Sequence, residues 1–256
     1  MTSRLVLAAA AALIITAGAA RAIEARPQAP AWIAAVVADK GRPAADVERD
    51  AERKPAEMLL FAGVKPGMAV VDFLPGGGYF TRMFSKAVGP KGKVYAVYTP
   101  PKPSTDPAKP APTPAAETLA ADPAYGNITA VRVSPASLAV PGKADIFWTS
   151  QNYHDLHNIP GLDMTAFNKS VFAALKPGGE YIVLDHVGAP GDPEITHTLH
   201  RIDPALVRKE VEAAGFTYVA ENTTLRNPAD DHSLKVFDPA IRGHTDQFIY
   251  KFRKPK

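Results

Sequence analysis

Residues 69–81 have the sequence Ala-Val-Val-Asp-Phe-Leu-Pro-Gly-Gly-Gly-Tyr-Phe-Thr, and this stretch decides the fold. An apolar run rich in valine ends at Asp72, three glycines follow, and an amphipathic segment begins at about Tyr79. The pattern predicts a buried strand, a tight turn and the start of a helix. Glycines in such a turn let the backbone approach a ligand closely, and the first N–H groups of the helix point toward it.

Strand-like and helix-like segments alternate through most of the 256 residues. The order predicts a mainly parallel sheet of seven strands, with an antiparallel last strand and helices on both faces. The predicted strands are 69–73, 93–98, 128–133, 144–149, 180–185, 217–220 and 246–252; the predicted helices are 46–63, 79–88, 115–121, 164–175 and 204–214.

Composition excludes several kinds of chemistry. The chain has no cysteine, which excludes disulfides, thiolate nucleophiles and cysteine-based zinc sites. A net charge of +3 without a stripe of lysine and arginine argues against nucleic acid as a partner. The length suits one domain with a full hydrophobic core.

The first residues have the pattern of an export signal. Arg4 precedes an apolar run to about Ala20, and small residues continue to Ala22. We therefore expect a signal peptide over 1–22, a mature protein that is periplasmic or secreted, and no membrane span after cleavage. An uncleaved membrane anchor is the alternative.

The rest of the chain divides into a linker with a short helix over 23–44 and the main domain over 45–256. Residues 99–114 contain seven prolines, which predicts an extended surface insertion. This insertion is either a passive spacer or a partner-binding motif.

Two motifs together carry a family resemblance. The glycine turn at 72–78 and the Leu-Lys-Pro-Gly-Gly segment at 175–179 resemble the class I S-adenosylmethionine-dependent methyltransferases. The segments 75–78, 152–156 and 227–232 resemble a group of exported proteins described as predicted methyltransferases. The resemblance covers about residues 45–255. It implies a Rossmann-like fold, S-adenosylmethionine as the cofactor and methyl transfer to a small molecule.

The resemblance implies a methyl-donor site at Asp72, Leu74, Gly76, Gly77, Gly78 and Tyr98. Two of these positions depart from the superfamily pattern. Leu74 stands where the first glycine of Asp/Glu-x-Gly-x-Gly-x-Gly belongs. The second strand ends in Tyr98 instead of the acid that accepts the ribose hydroxyls. A tyrosine hydroxyl can still bond a ribose, but without a charge-assisted pair.

The candidate catalytic residues follow the fourth and fifth strands. Asn152, Tyr153 and His154 come after the fourth strand and His186 ends the fifth, so all four fall at the edge where parallel sheets bind ligands. We expect His154 or His186 to be the general base, with the neighbouring aspartate orienting the ring.

Two further functions stay open. The spacings His154-x-x-His157 and His197-x-x-His200 place imidazoles on one helical face, which is compatible with a zinc or iron enzyme, although our preferred site contains no metal. The other alternative is a non-catalytic exported binding module on the same fold.

A long loop precedes the last strand, at about 226–245. It is either a set of turns or a lid whose Arg226, Asp230 and His232 face the substrate. Earlier in the chain, we interpret Arg201 as an anion contact and Asp203 as a helix N-cap.

Overall fold

The computed structural model describes residues 29–101 and 111–256. The predicted signal peptide and the middle of the Pro-rich insertion lie outside the described residues. Within the described ranges, no helix is both long and apolar enough to cross a bilayer.

The predicted sheet is confirmed. Its spatial order is β3-β2-β1-β4-β5-β7-β6, and β7 runs antiparallel to both of its neighbours while the other pairs are parallel. The strands are β1 Ala69–Phe73, β2 Lys93–Tyr98, β3 Ile128–Arg132, β4 Ala144–Ser150, β5 Leu175–His186, β6 Thr217–Glu221 and β7 Gln247–Arg253.

Helices cover both faces, as expected for a parallel sheet whose strands are apolar on both sides. Alternating residues of one strand enter different cores: Val70 packs with helices α1, α4, α5 and α6, and Val71 packs with α7, α8 and α10. The described helices are α1 Ala31–Val37, α2 Ala44–Val47, α3 Asp50–Arg53, α4 Pro55–Ala62, α5 Tyr79–Val88, α6 Ala115–Ala121, α7 Tyr153–His157, α8 Met164–Ala174, α9 Ile195–Thr198 and α10 Pro204–Ala213.

Two predicted elements differ from the structure by more than one residue. The single helix expected from Asp46 to Gly63 is three short helices. The second of the two breaks falls at Lys54, which adopts φ 46° because Pro55 disfavours helical backbone at the preceding residue. Strand β5 begins at Leu175 rather than Glu180, since Leu175 already pairs with Ala144 of β4. Helix α4 ends at Gly63, which caps it in a left-handed conformation with φ 68°.

Candidate functional site

The turn after β1 keeps the path of a glycine-rich turn despite its leucine. Leu74 has φ 51°, in the left-handed region that glycine prefers, and its amide donates to the Val97 carbonyl at 2.8 Å. Gly76 and Gly78 also have positive φ, at 53° and 82°. The substitution at the first glycine position therefore costs strain of about 1 kcal/mol but does not redirect the chain.

The glycines of this turn have two different environments. A Cβ atom on Gly76 or Gly77 would meet no atom within 4 Å, so both face open space. A Cβ atom on Gly78 would lie 2.4 Å from a methyl carbon of Leu119, so Gly78 packs closely against α6. Only the first two glycines leave room for a ligand.

Three adjoining cavities follow the carboxyl edge of the sheet. The outer cavity, about 480 Å³, is lined by Leu74, Gly76, Tyr98 and Asp155, and by both ends of the Pro-rich insertion. The inner cavity, about 260 Å³, shares Leu74, Gly76 and Asn152 with it. The loop cavity, about 360 Å³, shares the residues Arg49, Arg53 and Gln151 with the inner cavity and is otherwise lined mainly by β5 and the loop before β7. The shared residues place the three cavities side by side along this edge, and we call the three together the groove.

A carboxylate lies beside Tyr98, where the sequence shows no acid at the end of β2. The Tyr98 hydroxyl donates a hydrogen bond to Glu117 on α6. The pKa of Tyr98 is raised mainly by that hydrogen bond and to a smaller extent by burial. Sequence reasoning missed Glu117 because it follows the insertion, 19 residues later.

Asp72 and Arg53 place opposite charges on the inner cavity. Asp72 accepts from the Thr81 hydroxyl at 2.6 Å, and burial raises the pKa of its carboxyl to about 7. The Arg53 guanidinium donates to Ser150 Oγ at 2.9 Å and lies over the Tyr79 ring. Burial lowers the pKa of Arg53 to about 10, so it remains a cation. The sequence indicated only a charged helix here, and gave no sign that an arginine faces the turn.

Asn152 connects the glycine turn to β4. Its amide nitrogen donates to the carbonyls of Phe73 and Leu74, at 3.1 and 3.2 Å, and its amide oxygen accepts from Thr149. The protein itself therefore uses the polar atoms of Asn152, although the residue lines the outer and inner cavities.

The structure does not place Tyr153 at the rim. The side chain is fully buried, its hydroxyl donates to Glu210 at 2.9 Å, and it accepts from Asn168 at 2.8 Å. These partners lie on α10 and α8, beneath the sheet edge. As the first residue of α7, Tyr153 points into the core rather than toward the groove.

The surroundings of His154 do not suit the general base that we expected there, because both of its ring nitrogens face carboxylates. Its Nδ1 lies 2.7 Å from Asp185 and its Nε2 lies 3.3 Å from Asp155. Burial alone would lower the pKa of His154, but the charge of Asp185 and the hydrogen bonds that the ring donates to both carboxylates raise it to about 10. The ring is an imidazolium near neutral pH and has no free lone pair.

The candidate imidazole of His186 faces a cavity. It lines the loop cavity, and its Nδ1 lies 2.8 Å from the Thr245 hydroxyl. Burial lowers the pKa of His186 to about 4, so the ring is neutral near pH 7.

The loop before β7 is bound to the body of the protein rather than hinged over it. Arg201 is fully buried and forms an ion pair with Asp230 at 3.0 Å. The anion that we expected Arg201 to bind is therefore a side chain of the protein and not a ligand. Arg226 and His232 both bind Asp246 at the start of β7. The three residues expected to face the substrate therefore face Asp246 or Arg201 instead. Asp203 caps α10 through the Ala205 amide, as expected.

Neither predicted histidine pair forms a site. His157 binds Glu210 at 3.2 Å, and His197 is exposed. One histidine from each pair, His154 and His200, meets instead at Asp155.

The sheet order and the glycine turn define the class: this is the Rossmann-like fold of the class I S-adenosylmethionine-dependent methyltransferases. The chain is similar to a SAM-dependent methyltransferase from Aquifex aeolicus, with TM-score 0.52 and 18% identity over 77% of this chain and 87% of that one. It is also similar to an arsenic(III) S-adenosylmethionine methyltransferase from Chlamydomonas reinhardtii, with TM-score 0.53 and 18% identity over 90% and 74% of the two chains.

One solved structure that shares the fold is named for a reaction other than methyl transfer. The 4+2 cyclase SpnF matches with TM-score 0.51 and 16% identity over 83% of this chain and 81% of that one. No protein-family model matches the chain, and a search of curated proteins finds no match. Similarity at these identities establishes the fold, and the reaction has to be argued from the site.

Proposed function

We propose that this protein is an S-adenosylmethionine-dependent methyltransferase acting on a small-molecule acceptor. The observation that carries the proposal is the pair of adjoining cavities beside the open glycines Gly76 and Gly77. Neither Leu74 nor Tyr98 fills it; both form its walls. When bound, the cofactor supplies an electrophilic methyl group, and the protein contributes the alignment of the acceptor.

The residues along the groove match the chemical groups of this cofactor in order. The outer cavity would hold the adenosine, with Tyr98 and Glu117 positioned toward the ribose hydroxyls. The amino group of the methionine part would bind Asp72, and its carboxylate would bind Arg53. A zwitterion thus meets one anionic and one cationic side chain in the inner cavity.

The loop cavity is the proposed acceptor site. Leu184, His186 and Phe237 line it, and it joins the inner cavity at Gln151. His186 is the residue we assign to contact the acceptor, since its ring is neutral and faces the cavity. A base with a pKa of about 4 removes protons weakly, which favours acceptors that need little deprotonation.

Calorimetry with S-adenosylmethionine and S-adenosylhomocysteine on the mature protein tests the proposal. We expect saturable binding of both compounds with one site per chain. A well-folded sample that releases no heat with either compound would contradict the proposal and favour the non-catalytic binding module.

We also propose that the protein is exported, from the pattern of residues 1–22 alone. Sequencing the N-terminus of protein recovered from separated cell fractions tests this. The expected N-terminus is near residue 23 in the periplasmic or secreted fraction. An intact Met1 in the cytoplasmic fraction would contradict export.

A further inference from the structure

Two imidazoles and a carboxylate converge beside the groove, from segments more than forty residues apart. Asp155 Oδ1 lies 3.3 Å from His154 Nε2 and 3.4 Å from His200 Nδ1. The three ligand atoms all lie within 4.8 Å of one another. Nothing in the proposed methyl transfer accounts for this convergence.

The spacing of these atoms suits a tetrahedral cation. Zinc binds imidazole nitrogen and carboxylate oxygen at about 2.0–2.2 Å, so neighbouring ligand atoms of a tetrahedral site are about 3.4 Å apart. The two measured distances agree with that value. Two histidines with one carboxylate leave at least one coordination position open, which is typical of catalytic metal sites.

The supporting contacts are those that metal-bound histidines usually have. His154 Nδ1 binds Asp185 Oδ1 at 2.7 Å, and the other oxygen of Asp185 accepts from the His154 amide at 2.9 Å. A buried carboxylate on the far ring nitrogen fixes the ring with Nε2 directed at the ligand position. Asp185 is fully buried, so this orientation is rigid.

His200 is held by unusual backbone geometry. It has φ 55°, which is uncommon for a residue other than glycine, and its ring packs on Phe237 with centroids 4.9 Å apart. Such strain is typical of functional positions, where the surrounding structure maintains it.

We propose that His154, Asp155 and His200 bind a divalent cation of the zinc class, with an open position toward the groove. Asp155, whose side chain is 48% exposed, lines the outer cavity, and Phe237 beside His200 lines the loop cavity. An oxygen, nitrogen or sulfur atom of the acceptor could occupy the open position. This last role rests on the proposed function, whereas the metal site itself does not.

A competing explanation is a purely protein-held network. Without a cation, a proton on His154 Nε2 points toward Asp155 and occupies the same position. Metal binding must displace that proton, so it should release protons to the buffer.

The test is zinc titration of tag-free mature protein after treatment with a chelator, followed by calorimetry and by the visible absorption of the cobalt(II) form. We expect one equivalent of zinc and a tetrahedral cobalt spectrum. His200→Ala and Asp155→Asn should each weaken zinc binding more than about 100-fold, because losing a ligand costs more than losing an outer partner. His197→Ala, an exposed histidine nearby, is the matched control and should bind zinc normally.

Asp185→Asn should weaken zinc binding about 10–100-fold, which is the usual effect of changing a residue that hydrogen-bonds to a metal ligand without binding the metal itself. Binding of less than a tenth of an equivalent, or wild-type affinity in both ligand variants, would overturn the metal site. S-adenosylhomocysteine binding measured on the same samples keeps the two proposals separate: donor binding without zinc binding contradicts the metal site alone.

Discussion

The two halves of the carboxyl edge are built in opposite ways. At the ends of β1 and β2, the open glycines Gly76 and Gly77 border empty space whose walls include Leu74 and Tyr98. At the ends of β4 and β5, buried charged side chains bind one another, as His154 does with Asp185. The first half leaves room for a ligand beside the glycine turn, and the second holds a few charged groups rigidly in place.

We call the ends of β4 and β5 the histidine half of this edge, and the ends of β1 and β2 the glycine half. The stability of the protein should depend more on the charged side chains of the histidine half. Asp230→Ala leaves the buried Arg201 without its anion, which should lower the free energy of unfolding by about 3–5 kcal/mol. Urea denaturation measures this effect. In the exposed control pair on α10, Glu212→Ala removes the partner of Arg208 and should change stability by less than about 1 kcal/mol. Equal effects of the two variants would contradict the proposed rigidity of this half.

Substitutions in the glycine half should weaken ligand binding more than they lower the stability of the fold. A valine at position 76 would project into the groove, so Gly76→Val should weaken S-adenosylhomocysteine binding at least 100-fold, or about 2.7 kcal/mol. Gly67→Val is the matched control, because Gly67 also has positive φ and open surroundings but precedes β1 at the opposite edge. The control should lose a similar amount of stability and keep its affinity. If both variants bind normally, the glycine turn does not hold the donor.

The pH dependence of binding separates the inner cavity from the rest of the groove. Burial raises the pKa of Asp72 to about 7, and only its ionised form attracts an ammonium group. Affinity for S-adenosylhomocysteine should therefore be constant above about pH 8 and fall below pH 7 by up to about tenfold per pH unit. Calorimetry over this range measures the slope.

Two controls identify the group responsible for that slope. Asp72→Asn should abolish it, because the amide does not titrate. 5′-Methylthioadenosine lacks the amino and carboxylate groups, so its affinity should not follow the ionisation of Asp72. The same slope with methylthioadenosine would show that another group titrates.

Most of the fold followed from local patterns. Apolar runs and glycine turns placed β1, β2, α5 and the antiparallel β7 because each pattern acts within a few neighbouring residues. The break at Lys54 is also local, and Pro55 was the signal for it.

Side-chain roles at the edge were predicted less well, because they depend on partners far along the chain. The sequence placed His154 at the correct edge, but its protonation follows from Asp185, 31 residues later. Glu117 beside Tyr98 and Arg53 beside the turn were missed for the same reason. Spacing in the sequence favoured two histidine pairs, whereas the fold joins one member of each.

The smallest predicted effect concerns the wall of the outer cavity. Tyr98→Phe removes the hydroxyl that bridges Glu117 to the proposed ribose position, and should weaken S-adenosylhomocysteine binding about fivefold, or about 1 kcal/mol. Tyr95→Phe, in the same strand but on the other face of the sheet, should not change affinity. If Glu117→Gln weakens binding more than Tyr98→Phe does, the carboxylate itself accepts the ribose hydroxyls, and this half of the edge replaces the missing acid of β2 with one from α6.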